Sequence, residues 1–472
     1  MKFFKLLSVF IVIFIFPGLG AGDSDFMNWL KNYKTEYKNF QEERDKEFHS
    51  FLKGKWKNFD VEKGKKEDKA PKPDKPPVAE KVKVDSKAIS VDKIKTIEEK
   101  KEPVKIVKPL KANIKKDILI GFFGEVLKFP EIKGFSVNHS SADKDSVAKF
   151  WENFSSKNLS PVLKQFNYYK YKKNFNDWGL FLMEKAYAKK ISNDENTRTL
   201  ILWGLMLKSG YDVRIGFAGS KIKLLFTSES DIFANPFFEL DGKRYYLFND
   251  KTSSIKSYDA SYKGADKKLR AFFFKRPDII TRSPVEKDIK FTYKDKKYEF
   301  KTYYNPGLIA FMNSVPQLSL DKYFIGTPDS FISKKLTDEI KEKSSNFSDK
   351  EKIDFILRMV QKGFPYKTDD EQFAKEKYFY PEELLYYPYS DCEDRSALFA
   401  SLVRSVTGFD VVILDYPGHV ATAVHLPEKI KGDYVTFAGK KYYVADPTYI
   451  NANIGMVMPG YGNKKPEIIS IK

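Results

Sequence analysis

The sequence predicts an α+β protein, and three observations carry that prediction. An amphipathic helical stretch comes first, a charged and proline-rich segment follows it, and two globular stretches then each show a helical pattern followed by strand patterns. With 472 residues, of which 42% are hydrophobic and 16% aromatic, the chain can bury more than one core. We therefore expect two α+β lobes behind an N-terminal helix and a linker.

Residues 1–22 have the pattern of a secretory signal peptide. Lys2 and Lys5 precede an apolar run over 6–16, and small residues follow over 18–22. The run is shorter than the roughly 20 apolar residues that a membrane-spanning helix needs. Because no cysteine follows it for lipid attachment, we expect a periplasmic or secreted protein and not a lipoprotein.

Residues 23–59 form the amphipathic helical segment. Phe26, Leu30, Tyr33, Tyr37 and Phe40 begin a series of apolar residues at helical spacing, with Lys and Glu between them. One interpretation is a helix packed on the body of the protein or on a second copy. The other is a peripheral contact with a membrane surface through residues 26–59.

Residues 60–117 are rich in Lys, Glu and Pro and include "KAPKPDKPPVAEK". Such a composition predicts a linker, partly extended and poorly ordered. The net charge of +19 permits an anionic partner, but the lysines alternate with Glu and Asp as on a solvated surface. No aromatic and basic motif of a nucleic-acid module is found, so we expect no nucleic-acid partner.

The two globular stretches, 118–284 and 285–472, resemble each other. "SNDENTRTLILWGLMLKSGYDVRI" aligns without a gap on "SDCEDRSALFASLVRSVTGFDVVI", with Ser192 on Ser390 and Glu195 on Glu393. Further on, "DGKRYYLFND" matches "AGKKYYVADP" at nearly the same offset. Chance similarity of two amphipathic helices explains the first match but not the second. The sequence therefore predicts an internal duplication.

Cys392 is the only cysteine of the chain. Ser390 and Glu393 have the spacing of a capping box, which places Cys392 in the first turn of a helix. The positive end of the helix dipole there favours a thiolate. In an oxidising compartment cysteines normally pair, so a lone thiol indicates reactivity, the alternative being a small core residue.

A histidine and an aspartate follow at suggestive positions. After the helix come an apolar run at 411–414, a "YPG" turn, His419 at the start of "HVATAVHL", and Asp446 at the end of "KKYYVADP". A Cys, a His and an Asp so placed allow the imidazole to take the thiol proton while the carboxylate fixes its tautomer. We select His419 over His425, which lies about 20 Å further along the strand. Four scattered histidines offer no ligand spacing, so we expect neither a metal nor a cofactor.

The first copy lacks all three residues. Asp194 stands where Cys392 stands in the second copy, and Asn249 takes the place of Asp446. No histidine lies between Asp194 and Asp250. We expect a degenerate lobe that keeps the fold without the nucleophile.

Tyrosines precede the cysteine in "YYPYSDC". Tyr387 or Tyr389 is a candidate donor to an oxyanion beside the Cys392 N–H. Packing is the alternative role for both.

The blocks "SDCEDRSALFASLVR", "GHVATAV" and "YYVADPTY" resemble the three blocks of the transglutaminase-like superfamily over 348–461. The resemblance implies a papain-like fold and a triad of Cys392, His419 and Asp446 that transfers acyl groups through a thioester. Val420 and Ala421 follow the histidine where an aromatic residue often sits, which bears on the acyl-acceptor side. The family includes transglutaminases, proteases, other amide hydrolases and inactive members, so its name does not fix the reaction.

The predicted function is that of an exported thiol enzyme acting on peptide or side-chain amides of a protein or peptide substrate. We expect hydrolysis rather than crosslinking, because water is always present and no acceptor site is found in the sequence. The alternative is a non-catalytic envelope binding or scaffold protein that uses both lobes to hold an envelope partner. The complete triad of the second lobe separates the two hypotheses.

Overall fold

The computed structural model describes residues 23–64, 72–79, 86–97, 117–137, 140–248, 250–281, 283–325 and 334–471. The fold is mixed α+β with curled sheets, as the sequence predicts. The predicted signal peptide, residues 1–22, lies outside the described residues. Every helix within these ranges is too short or too polar to cross a lipid bilayer.

The helices are, in chain order, α1 (Asp23–Leu52), α2 (Lys144–Ser155), α3 (Ser160–Lys172), α4 (Asp177–Ile191), α5 (Glu195–Lys208), α6 (Pro306–Ser314), α7 (Lys334–Lys343), α8 (Asp349–Gly363), α9 (Asp369–Phe373), α10 (Glu383–Tyr386) and α11 (Cys392–Thr407), with a 3-10 turn at Leu320–Tyr323.

The strands are β1 (Lys57–Asp60), β2 (Lys93–Ile97), β3 (Asp117–Phe122), β4 (Glu125–Pro130), β5 (Val213–Ala218), β6 (Lys221–Phe226), β7 (Phe237–Leu240), β8 (Lys243–Tyr246), β9 (Ser254–Ser257), β10 (Val285–Tyr293), β11 (Lys296–Tyr304), β12 (Val411–Tyr416), β13 (His419–Val424), β14 (Tyr434–Phe437), β15 (Lys440–Ala445) and β16 (Glu467–Ile471). β3 with β4 and β10 with β11 form separate hairpins.

Two six-stranded sheets carry the same strand order. The first sheet runs β1-β9-β5-β6-β8-β7, and the second runs β2-β16-β12-β13-β15-β14. Helix α5 precedes the first sheet's central hairpin, and helix α11 precedes the second sheet's. The hairpins close at the same register, with Ala218 opposite Lys221 in one and Tyr416 opposite His419 in the other.

The strands predicted around the candidate triad are confirmed. β12 and β13 are joined by a turn in which Gly418 has a φ of 80°, a conformation that glycine adopts without a steric cost. β15 ends at Ala445, directly before Asp446. Apolar runs bounded by turn residues gave these elements, and the fully buried strand β13 satisfies the same pattern.

The amphipathic segment 23–59 is helical only as far as Leu52. Residues after it turn, with the Gly54 N–H donating to Phe51 O, and β1 then pairs with β9. Phe48 is buried against Trp151 and other aromatic rings, whereas Phe26 and other N-terminal apolar residues of α1 are exposed. The end of the segment is a strand because β9 offers it an unpaired edge, a feature that no local pattern reveals.

The expected linker at 60–117 is folded onto the second sheet in two of its parts. β2 pairs in parallel with the edge strand β16, and the Ile89 N–H donates to Tyr434 O. Residues 72–79, here called the strap, are held by the Ala79 N–H, which donates to Ile450 O at 2.7 Å. Composition predicted disorder because few apolar residues are present, but backbone groups of this segment find partners on the second sheet and its loops.

The two halves of the molecule share one core. Phe311 of α6 packs against Phe122 and Phe175 from the first half and against Phe273 from the segment before β10. These rings are buried, so separating the halves would expose a large apolar surface.

Candidate active site

Cys392 is the first residue of α11, and it is fully buried. The expected capping box of Ser390 and Glu393 is wrong by one residue, since Asp391 is the N-cap. The Asp391 N–H donates to Asp394 Oδ2 at 3.3 Å. Ser390 is instead paired as a β-bridge with Tyr366, which fixes its backbone outside the helix.

In the first copy the expected cap, Ser192, is wrong by two residues. Asp194 is the N-cap of α5 and accepts a hydrogen bond from the Thr197 N–H at 2.8 Å. The Ser192 hydroxyl accepts from the Asp194 N–H and does not cap the helix. An aspartate nearer to the first apolar residue competed with the serine in both copies, and aspartate and serine are equally good N-caps.

His419 and Asp446 form a buried hydrogen-bonded pair. His419 Nε2 lies 2.8 Å from Asp446 Oδ2, and both side chains are at most 1% exposed. A carboxylate accepts only, so in the neutral imidazole Nε2 carries the proton and Nδ1 holds a lone pair. Nδ1 is buried and has no hydrogen-bond partner among the described residues. The imidazole is thus oriented, with one basic nitrogen unused.

The thiol lies against the strand that begins with His419. The Ser396 hydroxyl, one turn further along α11, donates to Val420 O at 3.1 Å, and the Val420 N–H acts to lower the pKa of the Cys392 thiol. The bond from Ser396 fixes the start of α11 beside the start of β13. The structure therefore brings Cys392, His419 and Asp446 into one buried region.

A loop network holds the Asp446 carboxylate in place. Its Oδ1 accepts from the backbone N–H groups of Thr448 at 2.8 Å and Tyr449 at 3.2 Å. Gln361 of α8 donates to Asp446 O at 3.1 Å, and Arg358 hydrogen bonds to the Gln361 amide oxygen at 3.0 Å. Because each acceptor is used, the carboxylate has one orientation in which Oδ2 meets the imidazole.

The expectation of a thiolate at Cys392 is not supported by its surroundings. The thiol donates to Glu393 Oε2 at 3.1 Å. Burial and then the charges of Glu393 and Asp391 raise the pKa of the Cys392 thiol well above its ordinary value, against smaller opposing effects of Lys72 and the Val420 N–H. The helix dipole does not prevail here because burial and the charges of two carboxylates at the same helix start disfavour the thiolate.

Lys72 of the strap reaches into this region from 319 positions away in the sequence. Its ammonium bonds to Glu393 and lies 2.7 Å from Asp391 Oδ2, 3.0 Å from Glu376 Oε1 and 3.8 Å from Asp369 Oδ2. The four carboxylates are here called the acidic pocket. The Lys72 side chain is only 8% exposed. Burial acts to lower the pKa of Lys72, but Glu393 and Asp391 more than offset it, so the pKa lies above its usual value.

The acidic pocket concentrates negative charge in a buried place. Burial, followed by repulsion from Glu393, raises the pKa of Asp369 and of Glu376 to about 7 each. Burial and Glu393 likewise raise the pKa of Asp391 well above its usual range. Carboxylate oxygens of Asp369, Asp391 and Glu393 lie within 4.8 Å of one another, which is cation-site geometry, and the Lys72 ammonium fills it.

The two tyrosines predicted as oxyanion donors contact groups other than the thiol. The Tyr387 hydroxyl donates to Asn313 Oδ1 at 2.6 Å, and its ring stacks on Phe379 at 4.4 Å. Tyr389 is 40% exposed beside Lys367. The hydroxyl of Tyr387 is therefore directed to α6 and not to the thiol.

Sequence reasoning missed Lys72, Tyr366 and Tyr461. The Tyr461 ring packs on His419 with centroids 4.9 Å apart, and burial and then the charge of Cys392 raise the Tyr461 pKa. Tyr366 donates to Pro73 O at 2.7 Å, so it ties the strap to the same region. No spacing rule links Lys72 to Cys392. Only the unusual placement of lysine among prolines could have drawn attention to it.

In the first sheet the corresponding positions hold other residues. Lys221 occupies the register position of His419, is largely exposed and lies 3.5 Å from Glu195 Oε2. Asp194 caps α5, as described above, and Asn249 lies outside the described residues. Comparisons of the chain with protein-family models, with curated proteins and with solved structures found no match.

Proposed function

We propose that this protein is an exported cysteine-dependent acyl hydrolase that cleaves peptide or side-chain amides through a thioester. The observation that carries the proposal is the buried His419–Asp446 pair at the start of β13, beside the helix start that holds Cys392, with His419 Nδ1 lacking a hydrogen-bond partner among the described residues. A nucleophile, a base and a group that orients the base are the parts that covalent acyl transfer needs.

In the proposed reaction His419 Nδ1 accepts the thiol proton as the sulfur attacks the amide carbonyl carbon. The tetrahedral intermediate collapses, the C–N bond breaks, and the leaving amine takes the proton from the imidazolium. Water then gives a proton to Nδ1 as its oxygen attacks the thioester, and the returning thiolate takes that proton back. Asp446 keeps its negative charge throughout and stabilises the imidazolium.

We also propose that the fold is papain-like, of the transglutaminase-like type, with residues 118–284 a degenerate copy of the catalytic lobe. The common strand order of the two six-stranded sheets and the identical register of the two central hairpins support this proposal. The substitution of Lys221 for His419 is consistent with loss of catalysis in the first lobe.

The proposed location is the periplasm or the exterior, where the substrate is a protein or peptide. A membrane surface is a further proposed contact. The aromatic rings of Phe26, Trp29, Tyr33 and Tyr37 form a continuous stack along α1, and Phe26 and Trp29 are more than 40% exposed. Such rings suit the interfacial region of a bilayer.

A second candidate function is a non-catalytic envelope binding or scaffold protein. The fully buried thiol and its raised pKa favour this candidate, because a protonated and inaccessible sulfur attacks no substrate. The two candidates differ in what removal of the sulfur does.

In the deciding experiment the mature protein is treated with a peptide that carries a thiol-reactive group. Mass spectrometry then identifies the labelled residue. The enzyme hypothesis expects labelling of Cys392, release of amine from peptide amides, and loss of both in Cys392→Ala and His419→Ala. His425→Ala, which changes the histidine directly after β13, is the matched control and retains both the labelling and the amine release. If Cys392→Ala keeps the protein's full biological function, the scaffold hypothesis replaces the enzyme hypothesis.

A further inference from the structure

The acidic pocket beside Cys392 is occupied by a side chain that does not belong to the helices that form it. Lys72 comes from the strap, while the carboxylates come from α9, the segment after it, and the start of α11. The Lys72 ammonium contacts all four of these carboxylates. The positive charge in the pocket is therefore supplied by a segment distant in sequence from the helices that form it.

The pocket opens onto a cavity that shares three of its residues. That cavity, of about 520 Å³, is lined by Asp369 and Glu376 together with Lys72 itself. Its lining contains six carboxylate residues and three lysines, which makes it acidic in a chain whose net charge is +19. Glu393, which also belongs to the pocket, bonds both to Lys72 and to the thiol. A cationic side chain entering through the cavity would come to lie beside the sulfur.

One acceptor in the pocket is left over. Asp391 is fully buried, and its Oδ1 has no hydrogen-bond partner among the described residues, although its Oδ2 bonds to Lys72. An unsatisfied buried carboxylate oxygen is costly, and a ligand that brings a further donor would remove that cost.

We propose that the acidic pocket is a recognition site for the lysine side chain of a substrate, and that Lys72 of the strap occupies it as an intramolecular stand-in. The proposal rests on the proposed function and names its substrate class, a peptide or protein that carries lysine next to the amide to be cleaved. The strap then competes with substrate for the site. An intramolecular occupant that fills the site about nine-tenths of the time weakens apparent binding by about tenfold.

The lysine bound here is a recognised group and not an acyl acceptor. An amine surrounded by four carboxylates keeps its proton, as the direction of the Lys72 pKa shift shows, and a protonated amine has no lone pair with which to attack a thioester. Recognition of lysine therefore accords with hydrolysis by water.

The test is a binding experiment and needs no turnover. Nα-acetyl-lysine methylamide is titrated against the wild-type chain and the Lys72→Met variant, with calorimetry and thermal melting as readouts. We expect the variant to bind the lysine compound about tenfold more tightly than wild type and to melt at a higher temperature in its presence. The corresponding norleucine methylamide, which lacks the ammonium group, binds neither the wild-type chain nor the variant. Lys75→Met, an exposed lysine of the same strap, behaves like wild type.

Three outcomes overturn the proposal. Equal affinity of wild type and Lys72→Met for the lysine compound shows that the strap does not compete. Stabilisation of the variant by Mg²⁺ or Ca²⁺ but not by the lysine compound shows a metal site. If neither Lys72→Met nor Lys72→Gln folds, even in saturating lysine compound, Lys72 is a permanent structural counter-ion. Because the titration measures binding and not turnover, a failed enzyme hypothesis leaves this result unchanged and the two failures are distinguishable.

Discussion

Lys221 and His419 hold the same position in two sheets of the same strand order. Lys221 pairs with Ala218 and His419 pairs with Tyr416, each at the closing end of its hairpin. The helix before each hairpin begins at Asp194 as N-cap in one case and at Cys392 as first helical residue in the other. The exposed lysine and the buried histidine thus mark the chemical difference between two similar scaffolds.

The first prediction concerns this difference. Asp194→Cys should create no amide cleavage, because the ammonium of Lys221 has no lone pair to accept a thiol proton. The change also removes the cap to Thr197 and should lower the free energy of unfolding by about 1 kcal/mol. Turnover of peptide amides and urea unfolding measure the two effects in a Cys392→Ala background. Asp194→Asn, which keeps a capping oxygen, is the control, and amide cleavage by the new cysteine would contradict the assignment.

The second prediction concerns the imidazole. Asp446→Asn should lower kcat by about 10³- to 10⁴-fold while the protein stays folded, because an amide no longer selects the tautomer with a free Nδ1. Steady-state cleavage and circular dichroism measure the two properties. The exposed Asp410→Asn serves as the control. Activity within a few-fold of wild type in Asp446→Asn would show that the pair is structural only.

The third prediction concerns the thiol. In the resting protein the pH profile of Cys392 alkylation should have its midpoint above about 8.5, the ordinary pKa of a cysteine thiol, because burial and the Glu393 carboxylate disfavour the thiolate. Glu393→Gln removes a negative charge and should move the midpoint to lower pH. Rates of iodoacetamide labelling against pH measure both, and the protein in denaturant gives the reference midpoint. A midpoint well below the reference in the folded wild type would restore the expectation of a thiolate.

The fourth prediction concerns pH and the strap. The pKa of Asp369 and of Glu376 is about 7 in the folded state and near 4 when unfolded, so the folded protein binds more protons between those values. Their contribution to the free energy of unfolding is therefore greatest at low pH and declines as pH rises towards about 7. Lys72→Met removes the cation that offsets this loss. The free energy of unfolding of the variant should therefore be close to that of wild type near pH 4 and fall increasingly below it at higher pH.

Thermal melting of wild type, Lys72→Met and Lys75→Met over this pH range checks that prediction. A difference between wild type and Lys72→Met that is constant with pH would show that lost packing, and not lost charge, causes it.

The fifth prediction concerns the anchor of α1. Phe48 is 2% exposed and contacts Trp151, Trp203, Tyr258 and Tyr262, so Phe48→Ala should lower the free energy of unfolding by about 3–5 kcal/mol. Phe40→Ala removes an exposed ring of the same helix and should cost less than about 0.5 kcal/mol. Urea unfolding of both variants provides the comparison. Equal losses would mean that α1 is not anchored through Phe48.

Local signals were sufficient where neighbours in sequence decide the structure. The apolar helix after Cys392, the glycine turn before His419 and the strand that ends before Asp446 were all predicted, because each depends on periodicity and turn residues. The capping residue was misjudged by one position because Ser390 and Asp391 are both good N-caps, and pairing with Tyr366 decided between them.

The sequence by itself determined an α+β chain with its only thiol at a helix start and with a histidine and an aspartate on strands that follow. Tertiary structure alone decided that His419 and Asp446 pair, that Lys72 enters the acidic pocket, and that the thiol is buried beside Glu393. Helix and strand patterns depend on contacts a few residues apart. The charge state of Cys392 depends instead on groups brought together from distant positions, and Coulomb interactions act through space without regard to sequence separation.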